Sequence, residues 1–245
     1  MSDDRPGLTE PLAAFVAATA VAALLALVGM AVPFVRNNLH VVIAVTFFYA
    51  PSLASRLSKR PFDYDSAGLR LAPVRLSAAV LAVAVAVAFP LFVVGFFGFY
   101  GVACGPHAGP LGMWFGPLCA HWVGWKGGAL TLPPSFAVQA LNQLVVVAIP
   151  EEMFFRGYLL GRLSERWPPQ RKLFGAPVGW ALLASSALFA LGHLAVVPNP
   201  QRLAVFFPAL LFGWMRARTG SIAAGAAFHA LCNLLSDVLH TSYFR

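Results

Sequence analysis

Two adjacent carboxylates, Glu151 and Glu152, stand inside an apolar run, with no other acid between Asp65 and Glu165. A charged acid at the centre of a membrane helix costs roughly 2.5–3.5 kcal/mol on insertion scales, so two neighbours require a compensating interior, and functional use is the first reading. Arg156 follows Glu152 by four residues, which puts both side chains on one helix face and permits a buried charge pair. Glu151 points about 100° away and is left free. Pro150, just ahead, lacks an N–H and opens the preceding turn, leaving carbonyl groups and water access beside the carboxylates. A packing ion cluster is the bland alternative.

Two further apolar segments carry polar intrusions. His193 ends the stretch Ser-Ala-Leu-Phe-Ala-Leu-Gly-His, with Phe189 one turn earlier on the same face. Alone, such a histidine is more often a satisfied interior residue than a base. His229 and Asn233, spaced i, i+4, tip the balance, because imidazole and carboxamide project side by side into the bundle. Two carboxylates, two imidazoles and an amide on three helices are what hydrolysis inside a membrane requires. A carboxylate takes a proton from water, an imidazole orients that water, and N–H donors hold the oxyanion. Ser185, Ser186, Ser221 and Ser236 lack a nucleophile-elbow context, and neither a phosphate-binding loop nor an H-E-x-x-H pair is present. The rival class is a proton- or ion-coupled transporter, which two related halves would signal; no internal repeat is visible.

The elements that position these residues are helices. The chain is 59% hydrophobic and 11% charged, with mean hydropathy +0.75, a composition of membrane proteins. Seven apolar helices are expected near 12–35, 38–54, 76–100, 135–161, 177–197, 201–216 and 220–240, giving an all-α, multi-spanning transmembrane bundle that forms one membrane domain over residues 1–245. The net charge of +8 sits in short loops rather than on a basic face, which argues against nucleic acid. Arginines and lysines concentrate after helices two, four and six, so those loops are read as cytoplasmic, with the N-terminus inside and the protein multi-pass in the plasma (inner) membrane. Straight spans at about 1.5 Å per residue place the polar residues at mid-membrane or nearer the outer face. Cys104 and Cys119 flank a Gly/Pro-rich loop; a disulfide in an oxidising compartment and two free thiols are equally open.

The motifs Glu151-Glu152-x-x-x-Arg156, Phe189-x-x-x-His193 and His229-x-x-x-Asn233, with Phe155 to Leu160 after the first and Thr219-Gly220-Ser221-Ile222 before the third, resemble the CPBP family. This family comprises CAAX prenyl proteases and bacteriocin-processing or self-immunity (Abi) proteins. The resemblance covers about 135–240, which it marks as the catalytic core. It implies a glutamic-type intramembrane endopeptidase: Glu151 as the base that activates water, His193 as its partner, His229 and Asn233 on the oxyanion, and Glu152 with Arg156 holding the site together. No cofactor is expected, because asparagine is a poor zinc ligand and a good oxyanion donor, although glutamate and two histidines leave zinc open. The implied partner is a membrane-associated protein or peptide substrate, for which a C-terminal sorting tail, as handled by proteases called myxosortases, is the specific expectation. Bacteriocin-leader processing and a non-catalytic immunity or scaffold role are the alternatives within the family.

Overall fold

Pro33 divides the first long apolar stretch into two helices. It lacks the N–H an interior position needs but fits the first helical turn, so helix α1 (Thr9–Ala31) stops at the extended residue Val32 and α2 (Pro33–Ser58) starts at once. The computed structural model describes residues 7–105, 109, 119–125 and 129–244. The positive-inside reading of the sequence also counts Arg5, Lys126 and Arg245, which lie outside the described residues. After the segment 59–73 comes α3 (Val74–Ala103). A long composite helix follows, α4 (136–166), and then α5 (Trp180–Val196), α6 (Phe206–Thr219) and α7 (Ala223–Tyr243). The all-α bundle of seven helices is therefore present among the described residues.

Three of them, α1, α2 and α3, are by themselves long and apolar enough to cross a membrane. The later ones differ from the full-length spans expected. α5 is apolar but has 17 residues, and α6 has 14, because Pro200–Val205 form a 3-10 turn ahead of it. A short β-hairpin precedes α5: β1 (Arg171–Leu173) pairs antiparallel with β2 (Ala176–Val178) through Phe174 and Gly175, both at positive φ. That two-residue turn has the handedness that strand twist favours, and it displaces the start of α5 from the expected 177 to Trp180.

α4 is the hub, packed against α1, α2, α5, α6 and α7. Its middle, Phe154, Phe155, Tyr158 and Leu159, is at most 1% exposed. The sequence predicts a polar linker from Ser55 to Arg75; its middle, segment 59–73, instead folds onto this hub. Ala67 packs on Met153 and Ile222, Gly68 accepts a hydrogen bond from the Ile222 N–H at 2.9 Å, and Arg216 donates to the carbonyls of Ala67 and Ser66. Gly157 permits this approach, since a Cβ there would stand 3.0 Å from the Ala67 carbonyl oxygen. At the opposite end Cys104 and Cys119 are disulfide-bonded, and an aromatic cluster of Phe96, Phe97, Tyr100, Trp122, Tyr243 and Phe244 ties α3 to the end of α7.

Candidate active site

The first motif owes its geometry to irregular helix. On either side of Ile149–Glu152, α4 widens into π-type turns, Gln143–Ala148 and Met153–Leu159. Pro150 contributes no N–H, and the Ile149 N–H reaches back five residues to the Leu144 carbonyl, so the turn before the carboxylates is indeed opened. Wide turns of this kind rotate the side chains that follow relative to a regular helix, and they concentrate at functional sites.

Glu152 and Arg156 form the expected pair, Nη1 to Oε1 at 3.0 Å, with both side chains 1% exposed. The remaining guanidinium donors find other partners: Nη2 reaches the Ala209 carbonyl at 3.3 Å, while the planar group lies 4.2 Å from the Phe189 ring centroid and 5.1 Å from that of Phe212. A second bond to Glu152 Oε1 comes from His229 Nδ1, at 3.1 Å. Gly225 lets α7 come this close, since a Cβ there would stand 3.4 Å from Glu152 Oε2 and from the Phe212 carbonyl.

Glu151 behaves differently. Its Oε2 is buried without a hydrogen-bond partner, 3.8 Å from His229 Nε2 and 4.0 Å from His193 Nε2. Both imidazoles are held from behind. His193 Nδ1 lies 3.0 Å from the Phe189 carbonyl, which only accepts, so Nδ1 carries the proton and Nε2 is turned to Glu151. The ring of Phe212 stacks on that of His229 at 4.9 Å, and Phe189 packs against His193 at 4.4 Å. Phe189 therefore fixes an imidazole through its carbonyl and a guanidinium through its face. The site is least covered here: the side chains of His193 and Glu151 are 24% and 15% exposed, against 6% for His229.

Five of the six sequence candidates thus meet around one point. Asn233, a turn beyond His229, donates instead to Gln143 Oε1 at 2.9 Å. Next along the same interface, Gln139 donates to Asp237 at 3.2 Å, so two polar rungs join α4 and α7. Gln139, Gln143 and Phe212 were not singled out from sequence. The signal available was two glutamines four residues apart in an apolar helix, mirroring Asn233 and Asp237. Among the described residues no group of three or more His, Cys, Asp or Glu side chains is disposed to hold a metal ion.

Comparison with protein families gives one match: residues 133–235 fit the model for Rce1-like, type II CAAX prenyl endopeptidases. All six candidate residues fall within it. Comparison with curated proteins and with solved structures found no significant match.

Proposed function

We propose, from the fit of residues 133–235 to the model for Rce1-like, type II CAAX prenyl endopeptidases, that this chain is a membrane-embedded peptide hydrolase in which Glu151 is the base that drives water onto a peptide bond inside the bundle. The observation that carries this reading is the unpartnered Glu151 Oε2, facing two anchored imidazoles across gaps too wide for direct hydrogen bonds. A water between them donates one hydrogen to Glu151 and the other to His193 Nε2. As its oxygen attacks the carbonyl carbon, the proton passes to Glu151 and the carbonyl becomes an oxyanion. His229 and Asn233 take that oxyanion, Asn233 through the amide N–H that its bond to Gln143 leaves free. Collapse of the tetrahedral intermediate breaks the C–N bond, and Glu151 returns its proton to the leaving amine.

Access supports a direction for the substrate. Towards the arginine-rich end of α4, Met153, Phe154 and Ile222 are all at most 3% exposed. The exposed edges of Glu151 and His193 and the Gln143–Asn233 rung lie towards the other side. With the positive-inside orientation, that is the outer half of a multi-pass plasma-membrane protein, which suits a C-terminal membrane tail of an exported protein better than a cytosolic prenylated tail. The test is a reporter carrying a membrane tail in either orientation, co-expressed with the wild-type protein, Glu151→Ala or His193→Ala. Cleavage of the outward-facing reporter by wild type, and by neither variant, is expected. Full cleavage by Glu151→Ala removes the assignment, and cleavage only of an inward-facing cytosolic tail reverses the access.

A further inference from the structure

A wedge opens between α3 and α5, away from the catalytic residues, because α3 leans chiefly on α7 and touches α6 only in part. The resulting groove has a volume of about 1200 Å³. Its walls are aliphatic along most of its length, with Val80, Val83 and Val87 from α3 facing Leu183 of α5, and Leu210 and Leu211 of α6 forming the floor. Val83 and Val87 are more than half exposed, so the groove opens sideways to the bilayer. α6 separates it from the active site: Leu210 and Leu211 face the groove, whereas Phe212 stacks on His229 and the Ala209 carbonyl binds Arg156.

Polar chemistry enters at one end. The β-hairpin brings Arg171 and Gln170 to the rim, and Arg75 stands one helical turn before the lining residue Ala79, on the same face of α3. Among the described residues, no carboxylate lines the groove and neither Arg75 nor Arg171 forms an ion pair. Trp180 and Trp214 border the same end, the position at which tryptophan marks the boundary between hydrocarbon and headgroups. Leu173 and Phe174, exposed at the hairpin tip, continue the apolar surface beside the two cations.

We propose that this groove is a binding site for an anionic diacyl phospholipid of the arginine-rich leaflet, with its acyl chains along α3 and α5 and its phosphate at Arg75 and Arg171. An apolar trough alone accepts any acyl chain; two unpaired arginines at its interfacial end select for negative charge, since each basic side chain near a membrane surface contributes about 1 kcal/mol of attraction to anionic lipid. The inference does not rest on the peptidase reading, because no catalytic residue lines the groove.

The experiment is native mass spectrometry of the full chain extracted from vesicles of equal phosphatidylglycerol and phosphatidylcholine, for wild type, Arg75→Gln/Arg171→Gln and Val83→Trp. Wild type should retain phosphatidylglycerol roughly thirtyfold over phosphatidylcholine, the factor two such cations supply. The double glutamine variant should lose the preference while still carrying lipid, and Val83→Trp should lose bound lipid of both kinds, with unchanged melting temperature in each. Equal retention by wild type overturns the proposal, as does a preference that survives in the double variant. Release of the retained lipid by a prenylated peptide would assign the groove to substrate instead, and equally overturn it.

Discussion

Helix α4 carries two clusters of glutamate and arginine roughly 15 Å apart along its axis, and they are finished in opposite ways. Near its end Arg162 and Glu165 join Arg60 and Glu10, tying α1 and segment 59–73 to the hub. All four carboxylate oxygens are engaged there: Glu10 by Tyr158 and Arg60, Glu165 by Arg162 and Arg60. In the middle of the helix, Glu152 takes the bonds of both Arg156 and His229 on Oε1, and Glu151 Oε2 is buried with no partner. A saturated cluster fastens helices together. An unsaturated one leaves a carboxylate oxygen facing two imidazoles, the arrangement that the proposed base requires.

The contrast can be sharpened by removing acids from each cluster in turn. The largest effect on folding is expected from Glu152→Ala, which leaves the Arg156 charge buried without its carboxylate; losing one partner of such a pair costs about 3–5 kcal/mol. Thermal unfolding in detergent should show it, and an unchanged melting temperature would mean that the pair holds nothing together. Gln143→Ala should leave stability close to wild type and lower kcat about tenfold, roughly 1.4 kcal/mol of barrier, by freeing the Asn233 amide. If KM alone rises, Asn233 contacts the substrate's ground state rather than the oxyanion. The smallest effect belongs to Arg60→Gln in the saturated cluster. About 1 kcal/mol or less of stability should go, and less still at high salt, with no change in cleavage rate.

The sequence disclosed the helices and most of the site for the same reason. An apolar background makes each charged or polar intrusion conspicuous, and the i, i+4 spacings of Glu152 with Arg156 and of His229 with Asn233 fix shared faces whatever the surroundings. What escaped depends on backbone detail or on partners distant in sequence. The π-type turns around Glu151 follow from how α4 packs, although Pro150 announced part of it. The hairpin turn uses Phe174-Gly175 rather than a common Asn-Gly signal, so it was absorbed into a loop. Segment 59–73 read as a polar linker because its contacts are made by backbone carbonyls of Ser66, Ala67 and Gly68, which composition does not reveal. Spacing groups Asn233 with His229, yet its partner in the structure is Gln143, an uncharged residue that hydropathy counts hardly register.

The most direct measurement pairs stability with turnover for two neighbouring isosteric changes, Glu151→Gln and Glu152→Gln, purified in the same detergent and assayed on one membrane-tailed substrate. The unpartnered carboxylate as base predicts that Glu151→Gln keeps the wild-type melting temperature while kcat falls by about 10²–10⁴, the range general-base catalysis supplies, and that Glu152→Gln loses stability first. A Glu151→Gln protein that cleaves at the wild-type rate, or that unfolds as readily as Glu152→Gln, would contradict it.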